Sequence, residues 1–329
     1  MFGYIVRRLI AAFLVIVVTS LFVFALFAYG PSNPAAFFCN SNGRCTAERQ
    51  ALIEDQLGLN ESFTTQYTTF VKGLFRDRQI HMGATYDCPA PCLGISYVDQ
   101  TQVREQIVSK YPATLSLAIG GATIYLTLGV LLGSLAARWR GSAADKTLVT
   151  GSLVVSSFPY YVVCLLAWIY LYLIWQIFPQ PQYVPLLEDP RGWASGLLLP
   201  WLVLGVASST QYARYSRASM VESLGEDYVR SATAKGVSTN KAVFKHALRA
   251  AIVPIVTIFG IDFAFLLSGT VFTEKIFDID GVGNLAITAI PNDFPVIAAT
   301  VLVAAVLIVI ANLVVDILYS VLDPRVRLV

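Results

Sequence analysis

Six long apolar segments dominate the pattern of hydrophobic and polar positions along the chain. They cover residues 9–29, 113–137, 148–178, 192–213, 250–273 and 294–322. A helix needs about 20 mostly apolar residues to cross the hydrocarbon core of a bilayer, and each segment is long enough. The first four segments carry no charged residue, whereas the fifth contains Asp262 and the sixth contains Asp316. The pattern predicts an all-α integral membrane protein with six transmembrane helices.

The placement of Lys and Arg in the short loops predicts the orientation of these helices. With the N-terminus inside, fourteen basic residues fall on the cytoplasmic side, and the two short outside loops hold only Arg191 and Lys275. Both ends are then cytoplasmic. The resulting segments are an N-terminal tail with the first helix (1–29), a long extracytoplasmic region (30–112), a transmembrane core (113–322) with a cytoplasmic loop at 214–249, and a cytoplasmic tail (323–329).

Composition supports a membrane protein and narrows its chemistry. Hydrophobic residues make up 56% of the chain and charged residues only 13%, against about 25% charged in ordinary soluble domains. The net charge of +2 does not indicate a nucleic-acid partner. No G-x-x-x-x-G-K-[ST] motif occurs, so the chain does not bind ATP through such a loop. His81 and His246 stand apart from other ligand types, and we therefore expect no metal site.

Four of the five cysteines lie in the predicted extracytoplasmic region, where an oxidising environment allows disulfides. These candidates are Cys39, Cys45, Cys88 and Cys92. Four cysteines permit three pairings, and their spacing does not choose among them.

The cytoplasmic loop at 214–249 shows the signals of two short helices. Ser223 and Glu226 have the spacing of a capping box, which predicts a helix of about three turns that ends at Gly236. A second helix begins near Ser238 and carries basic residues on one face. A helix this short is marginal in water and predicts a docking partner. The alternative is a plain connector whose charges only follow the positive-inside rule.

Several motifs resemble one family of transport proteins. The segment E-D-Y-V-R-S-A-T-A-K-G at 226–236, followed by H-A-L-R at 246–249 and by Pro254, is similar to the EAA loop of dipeptide and oligopeptide ABC-importer permeases. G-T-V-F-T-E-K-I-F at 269–277 and D-P-R-V-R at 323–327 extend the similarity over nearly the whole chain. The resemblance implies the ABC-importer permease fold, with a long extracytoplasmic loop after the first helix.

The resemblance also implies a function and partners. The chain would be a non-enzymatic subunit of the bacterial inner membrane that forms the path for peptides with a second permease. Two partner ATPases would bind ATP and Mg²⁺, and an extracytoplasmic binding protein would deliver the substrate; the chain itself would hold no cofactor. The residues that would couple to an ATPase are Asp227, Tyr228, Arg230, Ala232, Ala234, Lys235, Gly236, His246 and Arg249.

Carboxylates and glycines near the outer side are candidates for the pathway or its gate. A lone carboxylate in a membrane span should face protein or water because its exposure to lipid is costly. The outside loop at 274–295 is acidic and would meet the binding protein, unless it is a solvated connector. The candidates are Asp262, Glu274, Asp278, Asp280, Gly281 and Gly283. For Asp262, a structural hydrogen bond to another span is the alternative.

Three other classes of protein remain open from the residues alone. A membrane-embedded enzyme would have Asp262, Asp316 and Cys164 as its in-membrane chemical groups, but their spacing forms no acid/base pair. A secondary transporter should contain an internal repeat, and none is evident. A receptor or scaffold would use the long outside region and would stimulate no partner ATPase.

Overall fold

The protein is predominantly helical, in agreement with the pattern of apolar segments. The computed structural model describes residues 2–29, 35, 46–56, 58–82, 84–290 and 293–322. The helices of this part are α1 (Phe2–Ala28), α2 (Ala47–Gln56), α3 (Phe63–Gly73), α4 (Val103–Arg138), α5 (Ala143–Ser157), α6 (Tyr160–Ile174), α7 (Pro190–Gly225), α8 (Asp227–Ala234), α9 (Thr239–Leu267), α10 (Val271–Ile276), α11 (Val282–Ala289) and α12 (Phe294–Leu322). Strands β1 (Arg78–Met82) and β2 (Ala84–Cys88) form an antiparallel hairpin.

Five of the helices are long and apolar enough to cross a membrane within the described ranges. They are α1, α4, α7, α9 and α12. Each covers all or most of one apolar segment, so five of the predicted spans are confirmed as helices, although α9 ends at Leu267, before the end of the fifth segment at residue 273. Arg, Lys, Asp and Glu concentrate at their ends because a charge in the hydrocarbon core is costly.

The third predicted span consists of two helices rather than one. Helices α5 and α6 meet at an angle of 90°, so together they form a broken span or a re-entrant segment. Pro159 lies at the break, where it caps α6. Phe158 has an extended backbone with ψ of 133°, as expected for a residue that precedes proline. Proline therefore ends one helix and starts the next.

The chain forms two compact units. One consists of Met1–Pro112 with Asp280–Val309, and the other of Ala113–Ile279 with Ile310–Val329. The core of the first unit contains the buried side chains of Val103, Ile107, Val296 and Ala299. The core of the second unit contains the buried side chains of Leu117, Cys164, Leu197, Leu199 and Phe277. Each unit therefore has an apolar core of its own.

Within the second unit, α4 and α7 approach each other closely at two glycines. Gly129 and Gly133 have the G-x-x-x-G spacing that lets membrane helices pack backbone to backbone. A Cβ atom on Gly133 would lie 2.5 Å from the carbonyl oxygen of Ala213 and 2.8 Å from the backbone nitrogen of Arg217. The helix crossing therefore leaves no room for a side chain at this point.

The first unit contains a disulfide and a long-range anchor. Cys88, at the end of β2, forms a disulfide with Cys92, and both sulfurs are buried beside Met82 and Ile95. This confirms one disulfide among the candidate cysteines, whereas Cys39 and Cys45 lie outside the described residues. The carboxylate of Asp293 accepts hydrogen bonds from the Ser96 hydroxyl and from the backbone N–H of Tyr97, the latter at 3.1 Å. Asp293 thus holds this loop against the start of α12.

Candidate functional site

Helix α8 is the central element of the predicted cytoplasmic site, and it begins later than the capping-box signal predicts. Ser223 lies inside α7, where it is 8% exposed, so it does not cap α8. Glu226 has an extended backbone and stands at the helix start instead. The helix therefore has eight residues, about two turns rather than three. The S-x-x-E signal failed because α7 continues past Ser223 to Gly225.

One apolar side chain of α8 is buried against the rest of the second unit. All eight residues of α8 are described, and Val229 is the one among them that is buried, with 3% of its surface exposed. Val229 belongs to an apolar cluster with Met220 of α7 and with Val243 and Ala247 of α9. Because an isolated helix of this length is marginal, the position of α8 depends on this contact.

The predicted stop at Gly236 is confirmed. Gly236 has a φ of +84°, a conformation that side chains with a Cβ rarely adopt. The N–H of Gly236 donates to the carbonyl of Thr233 at 3.0 Å, and the N–H of Val237 donates to the carbonyl of Ala232 at 3.2 Å. This pair of bonds is a Schellman motif, which satisfies the last carbonyl groups of the helix. A Cβ on Gly236 would meet no atom within 4 Å, so backbone conformation rather than space requires glycine.

Most of the predicted coupling residues lie on an exposed surface around α8. Tyr228 is 46% exposed and Ala232 is half-buried. The exposed members on and just after α8 are Asp227, Tyr228, Arg230, Ala234, Lys235 and Gly236. The hydroxyl oxygen of Tyr228 lies 3.5 Å from the carbonyl oxygen of His246, so the start of α9 borders this surface.

The start of α9 adds a basic face and an irregular turn. The helix begins directly after Ser238, close to the predicted start, and the segment Ala242–Ala247 is π-helical. His246 is half-buried in this turn, while Lys241, Lys245 and Arg249 are exposed. Turns of π-helix occur frequently at functional sites. Together, α8 and the start of α9 present a polar, largely basic surface.

Asp262 makes a hydrogen bond between two spans. The hydroxyl of Tyr212 in α7 donates to Oδ2 of Asp262 in α9 at 2.8 Å. Tyr212 is 2% exposed and its ring lies 4.7 Å from that of Tyr125 in α4. The half-buried carboxylate thus has a structural partner. Sequence reasoning missed Tyr212 because a tyrosine in an apolar span gives no sign of what its hydroxyl contacts.

Two carboxylates of the acidic loop at 274–295 are buried. Glu274 is fully buried in α10 and its Oε1 accepts hydrogen bonds from the Thr270 N–H at 3.1 Å and from the hydroxyls of Thr270 and Thr114, each at 3.0 Å. Asp293 is 3% exposed and makes the contacts described above. Both carboxylates satisfy hydrogen-bond donors, which explains their burial.

The remaining pathway candidates are split between the two units. Asp278 is exposed in the second unit with a φ of +53°. Asp280 is exposed in the first unit, where its carboxylate pairs with the ammonium group of Lys110. Gly281 and Gly283 are buried at the start of α11 in the same unit. Asp278 therefore presents an exposed carboxylate on the second unit.

An ion pair between α5 and α7 was missed by sequence reasoning. Arg217 donates to both oxygens of Asp145, at 2.5 and 2.7 Å, and the backbone N–H of Gly141 donates to Asp145 at 2.9 Å. Asp145 is 3% exposed. The S-A-A-D spacing at Ser142 is a capping-box signal that could have identified Asp145, whereas nothing in the sequence selects Arg217 as its partner.

The fold and the site define a class of protein. Long apolar helices place the chain in a membrane, and a two-turn helix with one buried residue presents an exposed polar surface. Such a chain is a multi-pass membrane protein.

Comparison with known families identifies this class. Residues 129–328 match the family described as binding-protein-dependent transport system inner membrane component. Residues 1–118 match the N-terminal part of the membrane components of such systems. The chain therefore belongs to the binding-protein-dependent transport system inner membrane component family. It is a permease subunit of an ABC importer, not an enzyme, and it is a multi-pass inner-membrane protein.

Relatives of known description resemble the chain over its whole length. A probable peptide ABC transporter permease protein of Sinorhizobium fredii is 33% identical over 325 residues, which are 98% of this chain and 99% of the relative. A putative peptide transport system permease protein of Brucella abortus is 32% identical, with 98% of both chains covered. A glutathione transport system permease protein of Escherichia coli is 31% identical, with 99% of both covered.

Proposed function

We propose that this subunit imports peptides, and that α8 is the helix through which ATP hydrolysis drives it. The relatives named for peptide or glutathione transport support the substrate class. The observation that carries the coupling role is the exposed surface of α8, an eight-residue helix that contributes one buried residue to its own chain. We infer that a groove of a partner ATPase covers this surface.

The proposed complex contains a second permease, two ATPases that bind ATP and Mg²⁺, and an extracytoplasmic binding protein that delivers the peptide. The ATPases would close around ATP, and because ATP binds the closed pair better, it would favour the permease state linked to that pair. Motion of α8 would reach two spans through Val229, whose apolar cluster includes Met220 of α7 and Val243 of α9. The proposed contacts are Asp227, Tyr228, Arg230, Ala232, Ala234, Lys235, Gly236, His246 and Arg249.

We expect Ala232→Glu to separate the ATPases from the membrane part of the complex. Ala232 is half-buried on α8, and a longer charged side chain would block the close approach of a partner groove. Tagged wild-type chain, purified from its native membrane in mild detergent, should bring down both ATPases and a second permease. The variant should bring down the second permease without the ATPases, as measured by mass spectrometry.

Thr239→Glu is the matched control, because Thr239 is exposed in the first turn of α9 and an acidic residue is favourable there. This control should retain the ATPases. Full recovery of the ATPases with Ala232→Glu would contradict the coupling role of α8. Recovery of the wild-type chain without ATPases, under conditions that preserve other importer complexes, would contradict the proposed assembly.

We also propose that Asp278 meets the binding protein on the outer side. Asp278 is exposed at positive φ, a conformation that asparagine also tolerates. Asp278→Asn should therefore remove the charge and keep the backbone. We expect receptor-stimulated uptake to fall several-fold at low ionic strength while the amount of folded protein is unchanged. Unchanged uptake at low salt would rule out this contact. Glu274→Ala is the contrasting variant: because Glu274 is fully buried, its loss should reduce folded protein instead.

A further inference from the structure

The first unit contains a cavity that the proposed coupling and transport roles do not use. Its volume is about 380 Å³, within the range of small-molecule sites. Its wall is formed by residues of α2 and α3, the hairpin, the loop after the disulfide and the start of α12. The charged side chains among them are Asp55, Glu61 and Arg78, with His81 at the end of β1.

Arg78 is held in place on the wall of this cavity. Its Nε donates to the sulfur of Cys92 at 2.9 Å, so the disulfide orients the guanidinium group. Its side chain also crosses the backbone of Gly73, since a Cβ on Gly73 would lie 3.0 Å from both Cδ and Nε of Arg78. These two contacts fix the stem and leave the terminal nitrogens of the guanidinium group for another partner.

The charge of Arg78 lacks a counter-ion in the part of the chain that the structure describes. The ion pairs between described residues are Lys110 with Asp280 and Arg217 with Asp145, so no described carboxylate lies within 4.0 Å of Arg78. The Arg78 side chain is half-buried, and desolvation lowers the pKa of its guanidinium group. A disulfide sulfur is a weak acceptor for a cation, and a desolvated charge without a partner is unfavourable. An anion bound in the cavity would remove this cost.

The surrounding charges select the kind of anion. Asp55 and Glu61 are exposed residues of the same wall, and their negative charges disfavour a dianion such as phosphate. A carboxylate matches the planar fork of arginine and carries a single charge. The two wall carboxylates would in turn favour an ammonium group on the same ligand. This distribution of charge fits a small zwitterion.

We propose that this cavity binds a free amino acid or short peptide, with Arg78 on its terminal carboxylate and with Asp55 and Glu61 near its amino group. The choice of a peptide rests on the proposed function, whereas the carboxylate site itself does not. The cavity would then be a second place where the permease contacts its substrate, separate from the membrane spans.

The test is ligand-observed saturation-transfer NMR on the full chain in lipid nanodiscs, without partner subunits. The probes are alanyl-alanine, its C-terminal amide and inorganic phosphate, each at millimolar concentration. Alanyl-alanine should give a saturable signal, and the amide and phosphate should bind at least tenfold more weakly. Arg78→Gln should weaken the binding of alanyl-alanine at least tenfold. The matched control is Arg76→Gln, which neutralises an exposed arginine two residues away and should bind like the wild type.

Equal signals from the dipeptide and its amide on the wild-type chain would overturn the proposal, and so would unchanged binding in Arg78→Gln. Alkylation of free thiols reports whether Cys88 and Cys92 are still joined in each variant. If Arg78→Gln loses the disulfide, Arg78→Lys replaces it, and wild-type affinity in that variant would count against the fork contact. Because no ATPase is present, failure of this test leaves the coupling role untouched, and loss of ATPase docking in Ala232→Glu leaves this test unaffected.

Discussion

Replacing Gly133 with alanine is expected to disrupt the crossing of α4 and α7. The new Cβ would lie 2.5 Å from a carbonyl oxygen of α7 and 2.8 Å from a backbone nitrogen, and backbone atoms cannot move aside as a flexible side chain can. Overpacking of this kind costs about 1–3 kcal/mol or more. The higher helix propensity of alanine, about 1 kcal/mol, offsets only part of this cost. We expect a lower apparent melting temperature in detergent and reduced uptake by cells.

Gly151→Ala provides the matched control for this prediction. Gly151 lies inside α5, and a Cβ there would meet no atom within 4 Å. The same chemical change should therefore leave the melting temperature unchanged or raise it slightly. Equal stability of the Gly133 and Gly151 variants would show that the two helices do not approach as closely as the structure places them.

Val229→Asp is expected to release α8 and to abolish transport. The substitution puts a carboxylate into an apolar cluster with no described cation among its members. Burying such a group without a partner costs about 3 kcal/mol or more, which corresponds to a fall of more than about 100-fold in the docked population of α8. Uptake should fall accordingly, and the loop at 226–249 should become more sensitive to protease in purified protein.

Two further variants test whether this effect comes from burial at Val229. Val229→Ala removes two methyl groups, at about 0.8 kcal/mol each, and should give an intermediate loss of uptake. Ser238→Asp adds the same charge at the start of α9, where aspartate is a preferred capping residue, and should be neutral. Normal uptake by Val229→Asp would mean that α8 is held by contacts other than this cluster.

The sequence predicted the spans well wherever one helix crosses the membrane alone. Runs of about 20 apolar residues identify α1, α4, α7, α9 and α12, because the thickness of the bilayer sets their length. The sharp bend in the third span was not predicted because its apolar run, 148–178, continues through the break. Pro159 indicates a kink. The angle of 90° depends on the residues against which the two helices pack, and the local sequence does not show which residues these are.

The charged groups were harder to place than the helices. Glu274 and Asp278 are four residues apart in one acidic stretch, yet the first is fully buried and the second exposed. Glu274 accepts hydrogen bonds from nearby Thr270 and also from Thr114, a donor 160 residues away along the chain that no local pattern could reveal. The surface of α8 proposed for coupling was identified through its resemblance to a family motif. Its anchor at Val229 was not, because a valine in a short polar helix becomes important only through its neighbours on α7 and α9.

The first unit is built from two stretches of chain that the ribosome synthesises at widely separated times. Asp293 bonds to Ser96 and Tyr97, which lie 197 and 196 residues earlier in the chain, and Val296 and Ala299 complete the apolar core around Val103 and Ile107. Domains generally fold as units during synthesis, N-terminal parts first, but this one must wait for the start of the last long helix. Until then its early half exposes apolar side chains on the ribosome-bound chain. A nascent chain truncated before residue 280 should therefore need chaperones or be degraded, even with most of its spans already inserted.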